Sequence, residues 1–428
     1  MVCLCRREWL PRAFLSATLQ LWMSALSTYH SFEFIALSLL TVRTVSGLLC
    51  QPRLRDLARH SPEGGPSQLP KISVLVPARN EAENIQRCIV SLSQQDHPPL
   101  EIIVLDDQSS DATPEIVRSL QAMDPRIVLI QGDPLPSGWV GKNWACHQLA
   151  RAAKGEWLLF TDADTWHSPS HTSRLLQAAL DHHADLISSW PEQVMVTWAE
   201  RLVVSLLPFV GTIGYPHALL RLLRRVPLRM LARLPHGVAR FLGAANGQVL
   251  MLSRTAYDRI GGHASVRNHL VEDIALGRAV AARLHDGMWW MNVDGRPFVH
   301  CRMYRDFRGV WEGFSKNIRA AFEDHALAFL LAGTFQIIVL LLPFILLVNA
   351  MMRGGGMDGA ALGESLWILL LRSAVNIGSG GSWLSVMLHP FAWGLALLIG
   401  LNSGLQSAFG RVSWKGREYR HDPSAGTK

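Results

Sequence analysis

Two pairs of acids in this sequence have a spacing and a setting that suit chemistry. Thr161-Asp162-Ala163-Asp164-Thr165 closes the apolar run EWLLF (156–160), and Glu272-Asp273 opens the segment VEDIALGRAV (271–280). Side chains of an extended chain alternate with period two, so Asp162 and Asp164 share one side of it. Such a pair either holds a divalent metal with its phosphates or makes a solvated turn, because Asp often follows a strand for local hydrogen bonding. With oxygen ligands and no soft donor adjoining, the metal would be Mg2+ or Mn2+. Which Asp touches it is open at this level. His300, ending the apolar stretch RPFVH, either joins that shell, lines an acceptor site or is structural. Glu272-Asp273 reads in two ways. Acids at a helix start complement the dipole, by ~0.3–1 kcal/mol each, and a carboxylate there can also serve as a general base.

The elements that must position these acids follow from periodicity. ISVLV (72–76), EIIVL (101–105), RIVLI (126–130) and EWLLF (156–160) read as strands. Between them, helices are predicted over Glu81 to Gln94, over DATPEIVRSL with Asp111 as N-cap and Pro114 in the first turn, and over KNWACHQLARAA. A βαβαβαβ series predicts an α/β fold, doubly wound around a mostly parallel sheet. Ligands of such sheets bind beyond the carboxyl ends of the strands. Asp106-Asp107 and the Asp162/Asp164 pair both fall at such ends.

The 428 residues suffice for one large domain with appendages, and 49% hydrophobic against 18% charged residues tilts towards a membrane protein. Fifteen Trp against five Tyr add to that tilt. The formal charge of +7, much of it from Arg, suits lipid head groups or phosphate-bearing substrates, and no nucleic-acid-binding signature accompanies it. The six cysteines are scattered without a zinc spacing and read as reduced thiols.

Residues 1–50 are read as an N-terminal membrane anchor, with two apolar stretches divided at Tyr29-His30-Ser31, and 51–70 as a basic linker. The catalytic domain is placed at 71–325. Within it, 195–242 carries six Arg between Arg221 and Arg240 and is too broken by Pro, Gly and Arg for a clean span, so it is predicted to lie at the membrane interface, near the acceptor. Residues 326–410 form a C-terminal transmembrane region, with spans expected at 326–352 and 383–405, while 364–371 is too short to cross alone. A basic tail, 411–428, ends the chain. Basic flanks put the domain and both termini of this region on the cytoplasmic side of a multi-pass protein of the inner or plasma membrane.

VPARNEAENI (76–85), VLDDQSSD (104–111), FTDADT (160–165) and VEDIALGRAV (271–280) occur in this order. Together they resemble family 2 glycosyltransferases of the GT-A fold, over roughly residues 70–325. GRPFVHCRMY, RDFRGVWEGFSKN and WKGREY resemble further the membrane-bound branch associated with hopanoid and carotenoid pathways. The resemblance implies a Rossmann-like GT-A domain with transmembrane helices at both ends. It implies inverting transfer of one sugar from a nucleotide-diphosphate sugar to a lipid or isoprenoid acceptor.

Residue by residue, Pro77, Ala78, Arg79, Asn80 and Glu81 would cradle the nucleotide, with the acid on the ribose; Asn80 and Glu83 also fit a helix cap. Asp106 or Asp107 would fix the nucleotide. Lys142 would meet the diphosphate, or else is a solvated lysine at a helix start. Asp162 and Asp164, with His300 as a candidate, would hold the metal, and Asp162 would also contact the donor. Asp273 would be the base, beside Glu272. Trp311, Lys316 and Asn317 stand where polymerising relatives carry Q-x-x-R-W, and would serve the acceptor or the interface. Trp414, Lys415 and Arg417 would meet lipid phosphates or fold back on the domain. The alternatives are a processive polysaccharide synthase, disfavoured by the missing Q-x-x-R-W, and a non-catalytic membrane scaffold, which has no need of Asp162, Asp164 and Asp273.

Overall fold

A computed structural model describes residues 12–57, 69–97, 100–231, 233–323, 325–354, 356–410, 412–414 and 417–419. Most of the Pro/Gly/Ser linker, with Arg59, and Lys415 of the tail lie outside these residues.

The strands are β1 (Ile72–Ala78), β2 (Leu100–Asp106), β3 (Ile127–Gln131), β4 (Trp157–Thr161), β5 (Thr165–His167), β6 (Leu186–Trp190), β7 (Glu192–Gln193), β8 (Val249–Ser253), β9 (Trp290–Asp294) and β10 (Val299–Cys301). Seven form one sheet in the order β3-β2-β1-β4-β8-β6-β9. β1 pairs in parallel with β2 and β4, and β2 with β3, as the alternation of strands and helices requires. β8 alone enters antiparallel, between β4 and β6. A small sheet, β5-β10-β7, stands at the carboxyl end of β4. β1, β2 and β4 are buried almost throughout, which is why their sequences run as continuous apolar stretches instead of alternating.

The start of the first helix of the domain departs from the predicted cap. Helix Ile85–Ser93 begins four residues later than Glu81, and Asn80 does not cap it. Asn80 takes a left-handed backbone (φ 52°), which Asn tolerates better than most residues. Its Oδ1 accepts from Ser110 N (2.8 Å), and Ser109 Oγ accepts from Asn80 N (2.9 Å). The post-β1 turn is therefore tied to the post-β2 loop. Asp111 strengthens the same tie, its carboxylate accepting from Ala82 N and Thr113 N (3.0 Å each).

The two N-terminal apolar stretches form one continuous helix, Arg12–Cys50, about 58 Å long at ~1.5 Å per residue. Arg43, which interrupts the second stretch, donates to the carbonyls of Ile213 and Gly214 (2.8 Å each), at the end of helix Leu207–Gly214. It thus satisfies carbonyls that a helix end leaves unpaired. Among the described residues, four helical stretches are long and apolar enough to cross a membrane: Ser24–Cys50, Trp198–Leu223, Ala326–Met352 and Gly359–Ser379.

Two of these bear on segments that the sequence reading did not take as spans. Residues 364–371 belong to the 21-residue helix Gly359–Ser379, whose apolar run is interrupted by Glu364, Arg372 and Asn376, all buried among neighbouring helices. Residues 198–223 meet the length and composition for crossing although they fold as several short helical pieces. The expected span 383–405 breaks at Leu388 into Trp383–Met387 and His389–Ala408. The latter packs along helix Phe307–Ala320, with Asn402 donating to Ser315 Oγ (2.8 Å) and Arg319 N to Ser403 Oγ (2.9 Å). Trp414 and Arg417 fall on a short hairpin, Val412–Trp414 with Arg417–Tyr419.

Candidate active site

The carboxyl ends of β1, β2 and β4 open into one large cavity of about 1530 Å³. Pro77, Ala78, Arg79, Asn80 and Glu81 form part of its wall, with Asp107, Lys142, Asp162, Asp164, Glu272 and Asp273. Arg79 Nη1 donates to Asp107 O at 2.6 Å, which pins the two strand-end turns together. The two adjacent acids at the end of β2 differ in direction. Asp107 faces the cavity, whereas Asp106 turns to its own loop, accepting from Ser109 N (3.2 Å) and Gln131 Nε2 (3.1 Å).

Lys142, in the first turn of helix Gly141–Ala152, is not a solvated lysine. Its Nζ lies 2.7 Å from Asp162 Oδ1 and 2.8 Å from Glu272 Oε1, so one ammonium joins the two acid pairs. Burial acts to lower its pKa, but Asp162 and Glu272 outweigh it and hold the lysine charged. For Glu272, burial acts upward and Lys142 downward; the ion pair wins, and the carboxyl stays below the usual range.

Asp273 is in the opposite condition. Burial and the neighbouring charge of Glu272 push its carboxyl up to about 6, against the pull of Lys142 and of two backbone donors. Those donors are Gly247 N on Oδ2 (2.6 Å) and Ile274 N on Oδ1 (2.8 Å). A carboxylate at a helix start would ordinarily be more acidic. Desolvation and Glu272 supply the counterweight, leaving a group that is ionised at neutral pH and basic enough to take a proton. Gly247 went unnoticed in the sequence. A Cβ there would meet Asp273 Cβ and Oδ2 at 3.1 Å, so the close approach calls for glycine.

The structure separates His300 from the carboxylates. Residues of β10 alternate in direction, and it is Cys301 whose Sγ lies 3.4 Å from Asp164 Oδ1. His300 faces away, with Nδ1 3.2 Å from Glu192 Oε2 and its ring stacked on Trp166. Among the described residues, no three His, Cys, Asp or Glu converge as a metal cluster. Asp162 and Asp164 remain as adjacent oxygen donors on the cavity wall. That set fits a Mg2+-like ion, which takes one or two carboxylates and completes its shell with substrate phosphates and water.

Lys316 and Asn317 line the cavity as expected, on helix Phe307–Ala320. Trp311 of the same helix does not; it packs among the apolar helices and against Phe307. Arg302 and Arg305 are further wall residues that the sequence did not single out. Arg302 pairs with the buried Glu200 (3.0 Å) and Arg305 with Glu83 (2.8 Å). The wall beyond Lys316 and Asn317 is apolar: Phe314, Ile318, Phe329, Ile337, Trp393 and Leu397 come from three helices.

Residues 73–221 match the model of glycosyl transferase family 2. Over those residues the chain is similar to family 2 glycosyltransferases. A similar protein is a 4,4'-diaponeurosporenoate glycosyltransferase of Staphylococcus aureus, 28% identical over 356 residues, covering 81% of this chain and 88% of the relative. Another, of the same name, from Staphylococcus haemolyticus, is 29% identical over 252 residues, 58% of this chain and 60% of that one. Among solved structures, a mannosyltransferase of Pyrobaculum calidifontis, determined with GDP-Man and Mn2+, aligns over 87% of this chain and 98% of its own at 17% identity, with a TM-score of 0.44. The strand-end acids of β4 and the Glu272-Asp273 helix start lie on one cavity of a mostly parallel α/β sheet.

Proposed function

We propose that this glycosyltransferase moves one sugar, with inversion, from a nucleotide-diphosphate sugar to the polar end of an isoprenoid-type lipid. The observation that carries the reading is the continuity of the cavity, from Asp162 and Asp273 to the apolar wall of Phe329, Ile337 and Leu397. Pockets for one small ligand run ~300–1,000 Å³, so about 1530 Å³ leaves space for a donor and an apolar chain together. The relatives' name, 4,4'-diaponeurosporenoate glycosyltransferase, supports an isoprenoid chain in the acceptor; the hydroxyl at its polar end is this reading's own.

The turn at Pro77 to Glu81 and Asp107 would hold the nucleotide. Mg2+ or Mn2+ would sit on Asp162 and Asp164 together with the donor's diphosphate, neutralising the charge that builds on the leaving group. On donor binding, Lys142 is placed to exchange Asp162 for a phosphate oxygen. Asp273 accepts the proton of the acceptor hydroxyl as that oxygen attacks the anomeric carbon from the face opposite the diphosphate. Lys316 and Asn317, which line the same cavity, would serve the acceptor.

The setting would be a membrane with the domain on its cytoplasmic face. Support comes from the four apolar helical stretches and from segment 217–242, where exposed Leu222, Met230, Val238 and Phe241 alternate with exposed Arg221, Arg225, Arg229, Arg233 and Arg240. That mixture suits an interfacial position. The test is to incubate membranes holding the protein with a panel of labelled nucleotide sugars and extract with organic solvent. Label in a lipid carrying one sugar supports the reading; label in polymer, or none from any donor, overturns it.

A further inference from the structure

Directly behind the turn of Asp162 and Asp164 runs a chain of buried polar side chains to which the transfer reaction assigns no part. Thr161 and Thr165 flank the turn. His167 Nε2 lies 3.2 Å from Thr161 Oγ1 and 3.1 Å from Thr165 Oγ1. His167 Nδ1 lies 2.9 Å from His171 Nδ1, and His171 Nε2 lies 3.1 Å from Ser189 Oγ, on β6. All five residues are at most 4% exposed.

A count of protons gives one consistent direction for this chain when each hydroxyl, the two oxygens lying 2.8 Å apart, gives its hydrogen to a backbone carbonyl. Thr165 Oγ1 donates to the carbonyl of Asp162 (2.7 Å), and Thr161 Oγ1 to the carbonyl of Gln248 (3.0 Å). With both hydroxyl hydrogens so placed, the two oxygens accept from the imidazole, and in this arrangement His167 carries its hydrogen on Nε2. Its Nδ1 is then an acceptor, and His171 must donate from Nδ1. His171 Nε2 in turn accepts from the Ser189 hydroxyl. Burial keeps both rings uncharged, pushing His167 down to about 3 and His171 well below the usual imidazole range.

We propose that His167 and His171 are positioning residues for the donor site: an uncharged relay from Ser189 through two imidazoles to both shoulders of the Asp162–Asp164 turn. A space-filling role alone would suit apolar side chains, since buried polar groups are costly unless fully paired. Here every ring nitrogen and hydroxyl is paired, and the pairs end on the two residues that bracket the carboxylates. The relay anchors the carbonyl of Asp162 through Thr165 and the strand end of β4 through Thr161. The proposal rests on Asp162 and Asp164 being the metal-diphosphate pair.

The test uses the full-length protein, with Mn2+ binding followed by electron paramagnetic resonance in the presence of UDP or GDP. His167→Phe is expected to weaken Mn2+ by about 10-fold or more and to raise the KM for the sugar donor, with kcat held within about three-fold, as outer-shell partners of metal ligands do. His167→Gln, which keeps an N–H towards both threonines, should recover most of the loss. Unchanged Mn2+ affinity in His167→Phe overturns the proposal, provided Asp162→Asn weakens it. If Asp162→Asn also leaves Mn2+ binding unchanged, the metal-diphosphate reading fails and the relay's role falls with it. A measurement on the unaltered protein needs no variant to fold. Nitrogen-15 spectra of labelled histidine should show His167 protonated on Nε2 and His171 on Nδ1, both neutral from pH 6 to 8. The opposite tautomers, or a charged ring in that range, would contradict the relay.

Discussion

The cavity holds two acid pairs that are nearly alike in sequence and unlike in condition. At the end of β4, Asp162 and Asp164 sit on a turn after a buried strand, one held by Lys142 and the other near Cys301 Sγ. At the start of helix Glu272–Ala281, Glu272 shares that same lysine, while Asp273 accepts from two backbone donors, sits beside a like-charged neighbour and feels Lys142 without touching it. The lysine thus joins the two pairs at one acid of each. Of the acids it touches, Glu272 is held below the usual carboxylate range while burial raises Asp162 against the lysine's pull; Asp273, which it does not touch, is pushed up to about 6 and suits a proton. The composition of a site is a weaker guide to its chemistry than the burial and neighbouring charge each acid meets.

The difference can be broken most severely at Asp273. Asp273→Asn should lower kcat by ~10²–10⁴, with the affinity for donor nucleotide unchanged in equilibrium binding. An effect on donor affinity instead would make Asp273 part of the first pair. Asp162→Asn should act in the reverse sense, weakening Mn2+ and nucleotide by ~10–100-fold. EDTA should abolish turnover in the unaltered protein and Mn2+ or Mg2+ restore it.

Glu272→Gln sharpens the comparison through pH. With Asp273 pushed up to about 6, kcat/KM should fall as pH drops through that value, because the base becomes protonated. Removing the Glu272 charge takes away one of the two causes of the rise, so the acidic limb should move to lower pH. A limb that stays in place or moves up would show that the coupling of the two acids is not what sets the base. The smallest effect belongs to His300→Ala. Its imidazole pairs with Glu192 and stacks on Trp166, so Mn2+ affinity should change by less than about two-fold, against the ~10–100-fold expected of a ligand or its direct support.

Much of this was legible in the sequence because the strands are buried on both faces and read as short apolar runs ending in acids. β1 through β4 lie within a residue or two of their expected positions, and the acids at their ends meet in one cavity. The parts that stayed hidden depend on contacts between distant segments. Asn80 fits a cap motif, but its partners are Ser109 and Ser110, thirty residues on, and no local pattern shows them. β8 enters antiparallel from a stretch whose residues 248–253 carry no acid or glycine-rich signature.

The helix Gly359–Ser379 was missed because Glu364, Arg372 and Asn376 break its apolar run. Packed against neighbours, as Arg372 is on Ser385 Oγ at 2.7 Å, they cease to count against it. For His300 the signal was present. Alternation along β10 means that His300 and Cys301 face opposite ways, so only one of them can meet Asp164.

The central claim is that an acceptor oxygen, relieved of its proton by Asp273, displaces the diphosphate in a single step within this cavity. The anomeric configuration of the sugar in the organic-soluble product, set by NMR against that of the donor, tests it most directly. Inversion is the predicted result. Retention would require two displacements or a different face of attack, and would contradict the role given to Asp273.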